Sequence, residues 1–226
     1  MYFIENNLTR LKNNNNTFFL DPKELKDITS KLKKNEYNIY YPYKDSEKCI
    51  LYKKTIPKVV LYEIKIGIRV RHQDILGTIY SLNLSSGFFG DILIIDNKYY
   101  IYVLDSIKPY FEANFLTIKN SHIELIEHDL NLLENYERSY ETLELVVSSK
   151  RIDTIISSIC HTSRKSINQM IKKKEIILNY DFLKKPDYQL KEQDTFSIKR
   201  IGKFKFNKIL KVTKSNHIIV EILKYI

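Results

Sequence analysis

The chain has 226 residues, 43% hydrophobic and 12% aromatic, with no Trp and 17 Tyr, enough apolar material for one large core or two to three small ones. Its net charge of +10 lies wholly in the last third: residues 1–144 hold 19 Lys and Arg against 20 Asp and Glu, and residues 145–226 hold 18 against 7. Five glycines without a G-x-G-x-x-G turn exclude that kind of nucleotide cofactor site, two distant cysteines (Cys49 and Cys160) exclude a disulfide framework, and no apolar run approaches the ~18 residues of a membrane span.

Residues 1–16, MYFIENNLTRLKNNNN, contain no continuous signal-peptide core and read as a short helical or disordered arm with an Asn-rich linker. Residues 17–57 read as a small α/β unit. Its helix starts at Asp21 as N-cap, with Pro22 in the first turn, Glu24 completing a capping box, and Leu20 and Leu25 spaced as a hydrophobic staple. Short apolar stretches at 37–41 and 49–52 follow, and Pro57 closes the unit.

Residues 58–128 carry a β-α-β-β-α-β pattern. Strands are expected at 59–70, 91–95, 99–104 and 121–126, and helices at 72–84 and 105–114. That order belongs to the split arrangement of ferredoxin-like and RRM-like folds. Tyr99, Tyr100 and Tyr102 could form a base-stacking platform, but the RRM aromatic signature is absent and core packing is the expectation. Gly90 and Asp91 read as a turn into a strand rather than as catalytic residues. Residues 129–144 are acidic and polar, a partly helical connector. The fold class is therefore α+β.

Residues 145–226 carry all the excess positive charge, a field that attracts a polyanion and adds little to folding. Ile152, Ile155, Ile156 and Ile159 make one helical stripe; Thr162 or Ser163 caps a second helix with Ile167, Met170 and Ile171 inward. Arg164 and Lys165 open that second helix, where cations are disfavoured by the dipole but well placed for phosphate. Lys172 and Lys173 close it. Lys150 and Arg151 precede the first helix. Lys199, Arg200, Lys203 and Lys205 lie on a hairpin in which Phe196, Ile198, Phe204 and Phe206 alternate inward. These ten cations are the candidate nucleic-acid-binding residues, with Arg69, Arg71 and His72 of the central segment as a possible second contact. The five histidines are scattered and neither Cys belongs to a C-x-x-C pair, so no metal site and no cofactor are expected.

The run SSKRIDTIISSICHTSRKSINQMIKKKEIILN, followed by KPDYQLKEQDTFSIKR, resembles the RNA-binding module named after small-subunit ribosomal protein S-four. Arg151, Asp153, Ser163, Arg164, Ile171, Asn179 and Asp194 carry the match; Lys174 and Gln193 stand where that module usually has Gly. Upstream, FFLDPKE, RHQDILGTIYSLNL and FFGDILI, with IGKFKF downstream, resemble the YlmH-like family of bacterial RNA-binding proteins, although Ser85 and Ser86 replace its usual basic residue before Phe-Gly-Asp. The resemblance implies a cytoplasmic, non-enzymatic protein acting as a monomer. Its partners would be structured RNA, both rRNA and tRNA, on the large ribosomal subunit, in rescue or quality control of stalled nascent chains. No membrane and no small-molecule substrate are implied. The alternative is an RNA-modifying enzyme of pseudouridine synthase type docked by the C-terminal module, but the one Arg-Ile-Asp segment, at 151–153, already belongs to that module.

Overall fold

In the computed structural model, which describes residues 2–226, the best-marked helix signal of the sequence is met in full. Asp21 accepts the Glu24 N–H at 2.8 Å, Glu24 accepts the Asp21 N–H at 2.9 Å, and α2 (Pro22–Thr29) begins on Pro22. Leu20 and Leu25 pack in one apolar cluster with Ile28, Cys49 and Leu51.

Of the two expectations for the start of the chain the helical one holds: α1 (Tyr2–Lys12) precedes the Asn run and, rather than standing off as an arm, sends Phe3, Ile4, Leu8 and Leu11 into the same cluster. Ile4, Leu8 and Leu11 share a face at helical spacing, a signal the Asn run obscured. Asn7 is fully buried, donating to the Phe3 carbonyl at 2.9 Å and accepting the Phe18 N–H at 2.8 Å, so the helix end is tied to the chain that follows the Asn run. Strands β1 (Asn38–Tyr40) and β2 (Ile50–Tyr52) form an antiparallel pair.

The chain divides into two compact units, Met1–Glu137 and Arg138–Ile226. In the first, β3 (Val59–Ile66), α3 (His72–Ser81), β4 (Phe89–Ile95), β5 (Lys98–Leu104), α4 (Lys108–Asn114), β6 (Thr117–Ile118) and β7 (Ser121–His128) follow the expected order, with the short β6 added. The strands lie in the order β4-β5-β3-β7-β6, all antiparallel. Asp96 and Asn97 alone join β4 to β5, with φ of 49° and 62°, the two-residue turn that suits the strand twist.

Side chains alternate along β5, and the two faces go to different layers. Tyr99, Ile101 and Val103 pack with Ile75, Ile79, Phe111 and Phe115 of the helical layer. Tyr100, Tyr102 and Leu104 pack with Phe19, Tyr43, Ile50 and Leu133. The three tyrosines are thus buried on both faces and form no stacking platform. Residues 17–57 are correspondingly not a separate unit: they cover the second face of the central sheet, as do Leu130, Leu133 and Tyr136 of the expected connector.

Asp91 fastens that layer. It accepts hydrogen bonds from Tyr43 Oη at 2.8 Å, Ser46 Oγ at 3.1 Å and the Glu47 N–H at 2.8 Å. Lys48 Nζ donates to the Ser86 and Phe89 carbonyls at 2.7 and 2.8 Å. The Phe-Gly-Asp segment is therefore a packing latch. At Gly90 an added Cβ would lie 3.0 Å from Tyr102 Cβ and 3.1 Å from the Phe19 ring. Gly90→Ala is expected to lower stability by about 1–3 kcal/mol through overpacking, read by denaturant unfolding. Unchanged stability would mean that the second face is not packed in this way.

The second unit contains β8 (Tyr140–Val147), α5 (Ile152–Ile159), α6 (Arg164–Lys172), β9 (Ile176–Leu178), β10 (Asp181–Phe182), β11 (Thr195–Ile198), β12 (Gly202–Val212) and β13 (Ile218–Tyr225). Its sheet order is β10-β9-β11-β12-β13-β8, with every neighbour antiparallel. The connector expected to end at 144 stops earlier. Residues 140–144 already belong to β8, where Leu143 faces Ile222, because Leu143, Leu145 and Val147 alternate toward the core. Both helices pack on one sheet face, Ile152, Ile155, Ile156, Ile167 and Ile171 meeting Phe196, Phe204, Phe206 and Ile222.

Candidate nucleic-acid interface

The basic unit is organised around a buried carboxylate. Asp153 lies in the first turn of α5 and its side chain is 3% exposed. It holds the Arg151 guanidinium in a fork, with Nε and Nη2 at 3.0 and 2.8 Å from its two oxygens. Burial pushes the Asp153 carboxyl up, but the bond to Arg151, the charges of Arg151 and Arg164 and the Thr154 N–H outweigh it and hold the group below its ordinary range. Arg164 reaches the same place from α6, its Nη2 donating to Thr154 Oγ1 at 2.6 Å and to Ser148 Oγ at 3.4 Å. Two of the expected RNA-binding arginines are thereby fixed beside one another.

The two helix starts differ in what they leave open. At α5 the Ile152 and Asp153 N–H groups donate to the carbonyls of Tyr188 and Pro186, so the loop at 183–190 closes that end. At α6 the cap is Ser163, whose Oγ accepts the Ser166 N–H at 3.2 Å. The N–H groups of Arg164 and Lys165 remain as the orphan donors of a first turn, beside the exposed Lys165 side chain.

A second group of cations gathers at the other end of α6, nine residues or about 13 Å away. Ile198 pairs with Ile176, and the Lys199 N–H donates to the Glu175 carbonyl at 2.9 Å. This contact brings exposed Lys199 and Arg200 alongside Lys172, Lys173 and Lys174. Lys203 and Lys205 do not join them. Alternation with buried Phe204 and Phe206 turns both onto the sheet face away from the helices, where Lys203 Nζ lies 5.1 Å from the Tyr180 ring and 4.7 Å from the Tyr225 ring. Lys150 is half-buried and its carbonyl accepts the Leu190 N–H. The ten expected residues thus divide among two clusters on the α6 side and one on the opposite sheet face. Sequence reasoning passed over exposed Lys184 and Lys185, which precede Pro186 in the loop that closes α5; the Lys-Lys-Pro run was the available signal.

Other motif positions prove to be scaffolding. Asn179 Nδ2 donates to Asp194 Oδ1 at 2.7 Å, while Asn179 Oδ1 accepts the Thr195 N–H at 2.9 Å and Asp194 Oδ2 accepts the Lys191 N–H at 2.8 Å. Lys174 and Gln193, in the usual glycine positions, keep the left-handed backbone at φ of 56° and 72°. A side chain is strained there and glycine is not. Lys174→Gly and Gln193→Gly are each expected to raise stability by about 0.5–1 kcal/mol. Denaturant melts of the single variants would measure it, and a loss at both sites would contradict the left-handed geometry.

In the first unit, Arg69 and His72 are exposed. Arg71 is engaged by Asp74, with Nη2 3.1 Å from Oδ1, and Lys119 Nζ lies 2.6 Å from Oδ2 of the same carboxylate. Hydrogen bonds from Arg71 and Lys119 hold Asp74 well below the usual carboxylate range. No group of His, Cys, Asp and Glu suited to a metal ion occurs among the described residues. Both cysteines are free thiols; burial pushes the Cys49 thiol up to about 12. Among the described residues no helix is long and apolar enough to cross a membrane.

Comparison with known proteins adds to this geometry. Residues 58–132, the segment with the β-α-β-β-α-β order, match a family model described as "Putative RNA-binding domain in YlmH". The chain is 25% identical over 149 residues to Ribosome-associated protein quality control protein P2 of Bacillus subtilis (strain 168), a match that covers 66% of this chain and 58% of that protein. The chain thus matches less than two thirds of that relative's length. Among solved structures, Cell division protein ylmH from Streptococcus pneumoniae has a TM-score of 0.47 and 20% identity, covering 58% of this chain and 92% of the other. The family match and the curated relative bear out the YlmH-like resemblance read from the sequence.

Proposed function

We propose that this chain, whose residues 58–132 carry the YlmH-type RNA-binding domain, is a cytoplasmic, non-enzymatic protein that grips structured RNA on the large ribosomal subunit. Its service would be the rescue or quality control of stalled nascent chains, with rRNA and tRNA as the RNA bound. The single observation that carries the reading is the arrangement of cations along α6. Arg151 and Arg164 are held at one end around Asp153, and Lys172, Lys173, Lys199 and Arg200 collect at the other. Cations pinned by buried hydrogen bonds meet phosphates with less ordering cost than free side chains do.

We read the second unit as the S-four type of module and the central sheet as RRM-like in topology. The central sheet then differs from RRM practice in function, because both its faces are covered. The name of the Bacillus subtilis relative supports the ribosomal setting. The pseudouridine synthase alternative gains nothing from the geometry: Asp91 and Asp153, the buried carboxylates of the relevant segments, are both occupied as hydrogen-bond acceptors.

The protein is expected to sediment with ribosomes or large subunits at ~50 mM salt and to be released as salt rises, because phosphate contacts release counterions. Sucrose-gradient fractionation checks this. A chain that stays at the top of the gradient at low salt, with purified ribosomal RNA also unbound, would sink the proposal. Nucleoside composition of tRNA and rRNA incubated with the protein should stay unchanged, and new pseudouridine would restore the enzyme alternative.

A further inference from the structure

We propose that the N-terminal unit carries a second phosphate-binding surface, formed by Lys31, Lys33 and Lys34 after α2 and by Lys53 and Lys54 after β2, that grips the RNA backbone. The proposal rests on the RNA-binding reading above and lies outside the family-matched residues 58–132.

The ladder itself brings the two stretches together. Asn38 faces Tyr52, so the chain entering β1 and the chain leaving β2 run side by side at one end of the pair. Leu32 and Tyr37 turn inward onto the cluster that contains Leu51, which anchors both stretches. The lysines between these anchors face outward: Lys31, Lys33, Lys34 and Lys54 are exposed and Lys53 is half-buried. Hydrogen bonds hold the turn, with the Glu36 N–H donating to the Lys33 carbonyl at 3.0 Å and the Lys33 N–H donating to Glu36 Oε2 at 3.1 Å.

Several lysines elsewhere in the unit are held in ion pairs. Lys44 pairs with Glu137, Lys65 with Glu124, Lys98 with Glu63, Lys108 with Glu127 and Lys119 with Asp74. Among the described residues none of the five patch lysines has an acidic partner within ion-pair distance, and Glu36 is the one acid in the turn that leads to β1. A unit with no net charge, 18 Lys and Arg against 18 Asp and Glu over residues 1–137, therefore carries an uncompensated basic spot, and adjacent unpaired ammonium groups fit successive phosphates of a polyanion.

Full-length protein, titrated with bulk tRNA and with purified ribosomal RNA over a range of KCl, tests the proposal. Lys33→Glu with Lys34→Glu, and separately Lys53→Glu with Lys54→Glu, should each weaken binding about tenfold at low salt and flatten the log–log salt slope by about two. Thermal melts should match the wild type for Lys33→Glu with Lys34→Glu, whose side chains are exposed, and stay close to it for the second pair, where Lys53 is half-buried. Unchanged affinity and slope in both variants, while Arg164→Ala with Lys165→Ala loses binding, would overturn the second surface and leave the RNA-binding reading standing. Failure of the wild type to bind either RNA would overturn both. Loss of binding to phosphatidylserine vesicles with RNA affinity unchanged would assign the patch to a membrane and overturn it as well.

Discussion

Arg164→Ala combined with Lys165→Ala is expected to weaken RNA binding by roughly 1–3 kcal/mol, taking each charge-assisted phosphate contact at ~1 kcal/mol or more. The two residues contribute differently to the fold. Lys165 is exposed at a positive helix start and its removal leaves stability unchanged or slightly higher. Arg164 also donates to Thr154 Oγ1 at 2.6 Å and Ser148 Oγ at 3.4 Å, so its loss is expected to cost about 1 kcal/mol of stability. Helix electrostatics alone suggests no cost for either; the bond to Thr154 changes that for Arg164. Lys172→Ala with Lys173→Ala is the reference, because cations at a helix end are favourable and exposed there. It should lower stability by several tenths of a kcal/mol and weaken RNA binding as well. A binding titration and a thermal melt on each double variant separate the roles. Normal RNA affinity in the Arg164/Lys165 variant, with an earlier melt, would make Arg164 purely structural and remove Lys165 from the site.

Asp153 explains why these arginines can be both structural and available. A buried carboxylate without a partner is costly, and here two cations supply the compensation while their outer edges reach the surface. Because the Asp153 carboxyl sits below its ordinary range, its stabilising contribution is complete above about pH 4 and is lost as pH falls through the folded value. The cluster at the start of α6 therefore stays intact at neutral pH.

Much of this was legible in the sequence, where local chemistry decides the outcome. The Asp21-Pro22-Glu24 cap, the two isoleucine-rich helices and the Phe-Lys alternation of β12 each follow from spacing alone. The elements that were misjudged depend on contacts distant in sequence. Nothing local shows that Phe19, Tyr43 and Leu133 would cover the same face of the central sheet, turning an apparent small unit and a connector into its third layer. The start of the chain read as an arm because its docking depends on Asn7 of α1 accepting the Phe18 N–H, beyond the Asn run. At the candidate site, residue types singled out Arg151 and Arg164, but the anchoring of one on Asp153 and of the other on Thr154 follows only from the packing of α5 against α6. The separation of Lys203 and Lys205 from the other cations was contained in the strand alternation itself, which assigns them to the face opposite Phe204 and Phe206.

The stability advantage of the wild type over Lys48→Met is expected to grow as pH rises from about 7 to about 10, by up to roughly 3 kcal/mol. Lys48 lies under the latch of the N-terminal unit, bonded to the Ser86 and Phe89 carbonyls and 4.3 Å from the centre of the Phe89 ring. Desolvation pushes its ammonium down to about 8, against the smaller opposing pull of Asp91, Glu24 and Asp21. In the unfolded chain the same group titrates near ~10.4, so across the interval between the two values the unfolded state holds the extra proton. Folding is therefore favoured as pH rises through that interval, the reverse of a lysine in a surface ion pair. The absolute profile hides this, because the Cys49 thiol is pushed up to about 12 by burial and would release its proton near ~8.5 when unfolded. Its contribution falls with pH over nearly the same range and offsets that of Lys48. Comparing variants removes the offset: wild type minus Lys48→Met isolates the lysine, and Cys49→Ala should convert a flat wild-type profile into a rising one. Denaturant unfolding at about pH 7, 8.5 and 10 measures both differences. A gap between wild type and Lys48→Met that stays constant across that range would mean the ammonium is hydrated, and the latch over the Ser86–Phe89 turn open to water.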